Sequence, residues 1–296
     1  MGLLDDRAAL GGRVAIVAGG GGGLGRACAL DLARAGVHLG LCDVDAAALT
    51  ETAEAARATG AEVVTGVLDV REPDALGAFF ADCDRRHERL DILVNVVGGT
   101  FRAPFTDVSA NGRDALVRTN FTWLVEATQL AATRMRAGGR GGSIVMLTSI
   151  EAHRAAPGFA VYAAMKAAVT HLARTLAVEL GPDAIRVNCV APDFVPTAGL
   201  AQVAGSAGSA GQVAATTAHD PGDVLTIPLG RKGTSEDVGN CILFLASDLS
   251  AYITGTTLHP DGGALAGSGW QLWPDDGFAT RPPSWVLERL SADDPH

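Results

Sequence analysis

Strand-like and helix-like stretches alternate at least six times along the chain, which limits the folds open to it. The strand-like stretches are short apolar runs, typical of buried parallel strands. They cover residues 13–18, 37–43, 61–69, 90–98, 143–149, 185–192 and 256–260. Helical periodicity covers about 26–36, 45–59, 72–88, 106–136, 158–180 and 235–246, the last with Thr234 or Ser235 as its cap. The alternation predicts an α/β fold with a doubly wound parallel sheet (Rossmann-type), a single domain with helices on both faces.

The composition excludes several classes of protein. The chain has 296 residues, 48% of them hydrophobic, which is enough for a sizeable core. Its net charge of -10 without a basic run argues against nucleic-acid binding. No stretch approaches the ~18 apolar residues of a membrane span, and the first residues do not form a signal peptide. Five scattered cysteines without CxxC spacing favour a reducing, cytoplasmic location and argue against a disulfide framework or a metal site.

A glycine-rich loop lies between the first predicted strand and the first predicted helix. Within it, Gly19, Gly23 and Gly25 form the pattern G-x-x-x-G-x-G. Glycine is needed where φ is positive or where the backbone approaches a ligand closely. The N-terminus of the following helix offers free N–H groups to an anion, and a pyrophosphate is the natural ligand.

Asp43 ends the second predicted strand. An acid at this position accepts hydrogen bonds from a ribose diol and repels a 2′-phosphate, which predicts NAD rather than NADP. A second interpretation is that Asp43 caps the helix that begins near Asp45, and the two roles are compatible.

Tyr162 and Lys166 are four residues apart in a helical stretch, so they lie on one face of the helix, one turn apart. A neighbouring ammonium favours the phenolate, and we therefore expect Lys166 to lower the pKa of Tyr162. A tyrosine with a lowered pKa suits the role of general acid or base. The spacing alone is a weak signal and depends on its context.

With these motifs in order, residues 11–263 resemble the short-chain dehydrogenase/reductase family. The positions that carry the resemblance are the glycine loop 19–25, Asp69-Val70, Asn95 to Gly98, Asn120, Ser149, Tyr162, Lys166, Ala191-Pro192 and Thr197. The resemblance implies an NAD-dependent oxidoreductase that interconverts a secondary alcohol and a ketone by hydride transfer.

The resemblance also implies roles for individual residues. Tyr162 acts as general acid or base, Lys166 lowers its pKa and holds the nicotinamide ribose, and Ser149 binds the substrate oxygen. Asn120 binds a water that links Lys166 to solvent. The positions implied to contact the cofactor are Gly19, Gly23, Leu24, Gly25, Asp43, Asp69, Val70, Asn95, Gly98, Tyr162, Lys166, Pro192 and Thr197.

The chain departs from the family pattern at three places. Ala18 stands where the family has a threonine, and Val96 and Val97 stand where it has Asn-Ala. Asp193 replaces the glycine that follows Pro192. A carboxylate at this point either repels an anionic substrate or points away from it, and the sequence leaves both open.

Several segments bear on the substrate and on assembly. Residues 1–264 form the predicted catalytic domain, with a lid at about 193–230, and residues 265–296 form a tail packed on the domain or on a neighbouring subunit. Arg102, His153 and Arg154 follow predicted strands and either contact a substrate carboxylate or phosphate or are merely solvated. The resemblance implies a homo-oligomer, a dimer or tetramer, formed through the helices of Asn120 and Tyr162.

Two other functions stay open. One is a reductase for 3-oxoacyl thioesters of acyl-carrier protein or coenzyme A. Asp43 weighs against NADPH, the usual reductive donor, and the acidity of the chain weighs against an acidic carrier protein. The other is a non-catalytic NAD(H)-binding regulator, which would not need to retain Tyr162, Lys166, Ser149 and Asn120 together.

Overall fold

The protein is built around one parallel sheet. The computed structural model describes residues 2–197, 221–274 and 276–292. The strands of the main sheet are β1 Val14–Ala18, β2 His38–Asp43, β3 Val63–Val67, β4 Ile92–Asn95, β5 Gly142–Leu147, β6 Ile185–Val190 and β7 Thr257–Leu258. They pair in parallel in the order β3-β2-β1-β4-β5-β6-β7. The order reverses between β1 and β4, so the carboxyl ends of these strands open into the ligand crevice of the fold.

Helices connect the strands and cover both faces of the sheet. In chain order they are α1 Leu3–Ala8, α2 Gly23–Arg34, α3 Ala46–Arg57, α4 Pro73–His87, α5 Ala110–Val117, α6 Trp123–Gly138, α7 Ala160–Glu179, α8 Pro221–Thr226, α9 Ser235–Ala246, α10 Ala264–Gly267 and α11 Ser284–Ala292. Short 3₁₀ turns lie at Phe105–Asp107, Ile150–Ala152, Gly181–Asp183 and Asp248–Ser250. Within the described ranges, no helix is long and apolar enough to cross a membrane.

Two apolar clusters hold the helices on the sheet. On one face, α2, α3 and α9 bury side chains such as Leu32, Leu49 and Leu245 against the sheet. On the other face, α4 and α6 contribute Phe80 and Leu124, and α7 also belongs to this cluster. The two-sided coverage explains why the strands are apolar runs rather than alternating ones. The predicted doubly wound parallel sheet is therefore confirmed.

The predicted helix over 106–136 is wrong as a single element. The chain forms a 3₁₀ turn, then α5, then a π-helical segment at Arg118–Thr122 and finally α6. The predicted helix at 235–246 is confirmed with its cap. The Thr234 hydroxyl accepts from the Asp237 N–H at 3.2 Å, and the Asp237 carboxylate accepts from the Thr234 N–H at 2.8 Å. This reciprocal pair is a capping box.

Beyond the sheet, the chain ends in a hairpin and a helix. The hairpin consists of β8 Gln271–Trp273 and β9 Gly277–Ala279, and β8 contacts α8. Trp273 is buried, with its ring centroid 6.1 Å from that of Trp285, whereas Trp270 stays 56% exposed. The strand β8 therefore lies against α8 of the same chain, and the tail leaves some of its aromatic surface uncovered.

Candidate active site

The glycine loop after β1 packs closely enough to require glycine at defined positions. Gly19 has φ 91°, and a Cβ added there would lie 2.9 Å from Val97 Cγ2. A Cβ added at Gly25 would lie 1.8 Å from the Gly19 carbonyl oxygen, so α2 packs directly on the loop. Gly23 has φ 50°, and Leu24 packs against the apolar cluster of that face. The loop therefore brings the N-terminus of α2 to the carboxyl end of β1.

Asp43 braces this loop at the end of β2. Its Oδ2 accepts from the Gly21 N–H at 2.9 Å, and its Oδ1 accepts from the Asp45 N–H at 3.1 Å. The residue that caps α3 is Asp45, whose carboxylate accepts from the N–H groups of Ala47 and Ala48. The capping alternative for Asp43 is therefore wrong, and its carboxylate is instead fixed beside the glycine loop. Its contact with a ribose diol stays a prediction.

Asp69 and Val70 follow β3. Arg71 grips the Asp69 carboxylate with two donors, Nε at 2.9 Å from Oδ1 and Nη2 at 2.6 Å from Oδ2. These hydrogen bonds lower the pKa of Asp69, so that it stays ionised. Val70 is buried in the core. Asp69, which the resemblance assigns to the cofactor, is therefore held in place by a residue that the sequence reasoning missed.

Asn95 and Gly98 lie at the end of β4. The Asn95 amide donates to Thr128 Oγ1 at 3.2 Å, while its Oδ1 is buried and has no partner among the described residues. A Cβ added at Gly98 would lie 3.1 Å from both Asn120 Oδ1 and Lys166 Nζ. Gly98 thus lets the backbone lie directly against these two polar side chains.

Asn120 lies on the π-helical segment between α5 and α6, where it is buried. Its Oδ1 accepts from the Gly99 N–H at 3.1 Å, and its Nδ2 donates to the carbonyls of Gly99 at 2.8 Å and Leu116 at 2.9 Å. Single π turns inside α-helices are frequent at functional sites. The side chain therefore ties this helical region to the loop after β4.

Ser149, Tyr162 and Lys166 converge at the end of β5. The Ser149 side chain is buried, accepts from the Glu151 N–H at 3.2 Å and acts on the Tyr162 phenol, whose pKa it lowers. The Lys166 ammonium donates to the Leu147 carbonyl at 3.0 Å and lies 5.7 Å from the centroid of the Tyr162 ring. The structure therefore brings the three predicted residues together, with Asn120 behind Gly98.

The pKa of Tyr162 differs from the expectation. Burial raises the pKa of Tyr162 above its usual value, the Ser149 side chain opposes this shift, and the Glu151 carboxylate adds to it. Burial also lowers the pKa of Lys166 to about 8. Burial is therefore the main cause of both shifts, because desolvation disfavours the charged form of each group.

The segment after β6 borders both the glycine loop and the loop after β5, which contains Ser149. The Pro192 carbonyl accepts from the Ile150 N–H at 3.1 Å. Thr197 lies near Gly23, where an added Cβ would be 3.3 Å from Thr197 Cβ. Of the predicted lid over 193–230, residues 198–220 lie outside the described residues. Of the described residues in this range, 221–226 form α8.

The candidate substrate-contacting residues near the loop after β5 have partners within the protein. Arg154 Nη2 donates to Glu151 Oε1 at 2.8 Å and to Asp193 Oδ1 at 3.4 Å. The ring of His153 lies 4.7 Å from that of His259, centroid to centroid. Arg154 is therefore not a merely solvated residue, and the Asp193 carboxylate faces its guanidinium.

The side chain of Arg102 packs against Gly158, where an added Cβ would lie 2.9 Å from Arg102 Cγ. Sequence reasoning missed Glu151, Arg71 and His259. The sequence could have indicated Glu151, because it lies two residues after the predicted site residue Ser149. Arg71 likewise lies two residues after Asp69. The sequence contains no such indication of His259, because it meets His153 only through the pairing of β6 with β7.

Comparisons with known proteins agree with this geometry. A family model described as enoyl-(acyl carrier protein) reductase matches residues 19–264. Cyclohexanol dehydrogenase of Rhodococcus sp. (strain TK6) is 34% identical over 88% of this chain and 98% of its own length. The 3-oxoacyl-[acyl-carrier-protein] reductase FabG of Thermotoga maritima is 33% identical over 86% of this chain and 98% of its own length.

A solved structure, carveol dehydrogenase from Mycobacterium avium in complex with NAD, superposes with a TM-score of 0.78. It is 31% identical, over 86% of this chain and 98% of that one. The family match over residues 19–264 therefore spans the glycine loop and the loops after β5 and β6. The chain belongs to the short-chain dehydrogenase/reductase family of oxidoreductases.

Proposed function

We propose that the protein is an NAD-dependent dehydrogenase that interconverts a secondary alcohol and a ketone. The observation that carries the proposal is the convergence of Ser149, Tyr162 and Lys166 at the crevice end of the sheet, where the Ser149 hydroxyl acts on the Tyr162 phenol and Lys166 Nζ lies 5.7 Å from its ring centroid. A serine hydroxyl beside a tyrosine hydroxyl holds an alcohol or ketone oxygen between two hydrogen-bonding groups. Tyr162 is thereby positioned to exchange a proton with that oxygen.

The residues around the glycine loop fit a dinucleotide. A Cβ added at Gly22 would meet no heavy atom within 4 Å, so the loop has an open side at the N-terminus of α2, where a pyrophosphate accepts N–H hydrogen bonds. The Asp43 carboxylate, fixed by Gly21, selects a free ribose diol over a 2′-phosphate.

The groups that would hold NAD are Gly19, Gly23, Leu24, Gly25, Asp43, Asp69, Val70, Asn95, Gly98, Tyr162, Lys166, Pro192 and Thr197. NAD supplies the hydride acceptor when it is bound, and the protein supplies placement and electrostatics. The carveol dehydrogenase structure contains NAD, which supports this assignment for a relative of the same fold.

The proton chemistry falls to the protein's own groups. Because burial raises the pKa of Tyr162, the phenol is protonated at neutral pH, the form that protonates a ketone oxygen. Alcohol oxidation needs the phenolate, so we expect its rate to rise toward alkaline pH. Lys166 Nζ and Asn120 Oδ1 both lie beside Gly98, each 3.1 Å from the position of an added Cβ, where they would form the polar end of a proton path.

An uncharged cyclic alcohol is the proposed substrate class. Cyclohexanol and carveol, which name two of the relatives, are both cyclic secondary alcohols. The similarity to a 3-oxoacyl-[acyl-carrier-protein] reductase favours a second candidate, reduction of a 3-oxoacyl thioester. Because Asp43 disfavours NADPH, that candidate would have to use NADH.

A turnover screen tests the proposal. Purified protein is mixed with NAD and a panel of secondary alcohols, and NADH is followed by its absorbance. Turnover of a cyclic alcohol supports the proposal, and faster NADH-dependent reduction of an acetoacetyl thioester would favour the second candidate. NAD binding without turnover of any substrate would favour the non-catalytic regulator instead.

A homo-oligomer formed through α6 and α7 is part of the proposal. Val178 near the end of α7 is 78% exposed in the single chain, and the small side chains of these helices allow close approach. Light scattering should then give a mass two or four times that of one chain, and a monomer would contradict this assignment.

A further inference from the structure

An ion bridge joins the two loops that border the catalytic tyrosine. Arg154 contacts Glu151 in the loop after β5 and Asp193 in the loop after β6, at 2.8 Å and 3.4 Å. The side chains of Arg154, Glu151 and Asp193 are 39%, 24% and 22% exposed, so the bridge lies at a partly buried surface rather than in open solvent. The backbone joins the same loops, because the Ile150 N–H donates to the Pro192 carbonyl. The two loops and the ion bridge between them therefore form one fixed wall beside Tyr162.

The bridge lies where a substrate must enter. Both loops follow the carboxyl ends of neighbouring strands, and ligands of this fold bind in the crevice outside those ends. Glu151 is two residues from Ser149, and its charge acts on the Tyr162 phenol. Any substrate whose oxygen reaches Ser149 and Tyr162 is therefore within electrostatic reach of the bridge.

The charges of this wall do not balance. One guanidinium meets two carboxylates, and the buried Asp261 acts on both Arg154 and Asp193. Burial raises the pKa of Asp193, with Glu151 and Asp261 adding to the shift, while Arg154 opposes it. The neighbouring His153 adds no positive charge near neutral pH, because burial and His259 lower its pKa. The bridge of Glu151, Arg154 and Asp193 therefore carries two carboxylates against one guanidinium.

An arginine near a substrate oxygen normally attracts a carboxylate or phosphate. Here Arg154 Nη2 donates to both Glu151 and Asp193, so a substrate anion would have to compete with two carboxylates for this nitrogen. We propose that Asp193 is a specificity-determining residue that blocks anionic alcohols from Arg154 and leaves the crevice to uncharged ones. This inference rests on the proposed alcohol dehydrogenase function and defines its substrate class.

A pair of matched alcohols tests this role. Cyclohexanol and 4-hydroxycyclohexanecarboxylate share a ring and a hydroxyl, and they differ by one carboxylate. The wild-type protein should show a higher kcat/KM for cyclohexanol. In Asp193→Asn, whose amide keeps the shape but loses the charge, the ratio of the two kcat/KM values should fall by about tenfold or more, which corresponds to 1.4 kcal/mol. High salt should reduce the wild-type ratio as well.

Two further variants make the result decisive. Glu151→Gln removes the other carboxylate from Arg154 and should lower the same ratio of kcat/KM values. Its effect on the pKa of Tyr162 changes the turnover of both alcohols alike, so that effect drops out of the ratio. Asp74→Asn, at an exposed position in the first turn of α4, changes the net charge equally and should leave the ratio at its wild-type value.

The outcomes separate this inference from the function beneath it. Turnover of cyclohexanol with an unchanged ratio in both Asp193→Asn and Glu151→Gln would overturn the role of Asp193 alone. Turnover of neither alcohol, nor of any other secondary alcohol in the screen, would overturn the proposed function and this inference with it.

Discussion

The packing of α2 on the glycine loop gives a sharp test of the fold around the cofactor crevice. In Gly25→Ala, the added Cβ would lie 1.8 Å from the Gly19 carbonyl oxygen and 3.2 Å from Gly20 Cα, both of them backbone atoms. Ordinary contact needs about 3.5 Å, so either the loop or the helix must move. Overpacking of this kind costs about 3 kcal/mol, the upper end of the usual range.

Helix propensity acts in the opposite direction. Alanine is favoured over glycine inside a helix by about 1 kcal/mol, so the net loss from Gly25→Ala is about 2 kcal/mol. At about 2–4 °C per kcal/mol for a domain of this size, the thermal midpoint should fall by about 4–8 °C. Thermal unfolding followed by circular dichroism, at one protein concentration for all variants, measures this shift.

A matched variant isolates the clash. Gly77 lies inside α4, and a Cβ added there meets nothing within 4 Å, so Gly77→Ala should stabilise the protein by up to about 1 kcal/mol. Opposite signs for the two variants would support the packing described here. A Gly25→Ala protein as stable as wild type, or more stable, would show that α2 does not pack on the loop in this way.

Three further predictions follow from charges in the structure. Burial lowers the pKa of His87, so its neutral form is favoured in the folded state. The urea midpoint should therefore fall as pH drops below about 6.5, where the unfolded chain gains protons first. The fall should be smaller in His87→Gln. Asp43→Ser should lower the NAD/NADP ratio of kcat/KM by about tenfold, and an unchanged ratio would remove Asp43 from cofactor selection. Glu151→Gln should shift the pH profile of alcohol oxidation to lower pH, because the carboxylate raises the pKa of Tyr162; no shift would mean that the charge does not reach the phenol.

The sheet could be predicted from the sequence because buried parallel strands are apolar runs whatever they pack against. The centres of all seven predicted strands are correct. Their ends are less so: the predicted strand over 90–98 stops at Asn95, because the chain there leaves the sheet to lie against Asn120 and Lys166. Only the tertiary contact determines that end.

The π-helical segment could not be predicted for the same reason. Residues 118–122 have no composition that distinguishes them from the helices on either side. The segment carries Asn120, whose side chain bonds the backbone of Gly99, 21 residues earlier in the sequence. Periodicity over neighbouring residues contains no information about such a partner.

In the candidate site too, local sequence pattern predicted some features, and others depend on tertiary contacts. The residue types and their order pointed to Ser149, Tyr162 and Lys166, and the structure brings these side chains together. The direction of the pKa shift of Tyr162 was wrong, because the expectation counted the charge of Lys166 and not the burial of the phenol. The pairing of Arg154 with Asp193, 39 residues apart, depends on the adjacency of β5 and β6 and is invisible in the sequence.

Comparison of the wild-type protein with Tyr162→Phe tests the central proposal most directly. The substitution removes one hydroxyl and leaves the ring, so NAD binding measured by calorimetry should be retained. NAD-dependent oxidation of cyclohexanol should fall by at least about a hundredfold, the lower range for loss of a general base. Full turnover by Tyr162→Phe, with NAD bound as in the wild type, would contradict the assignment of Tyr162 as the proton-transfer group.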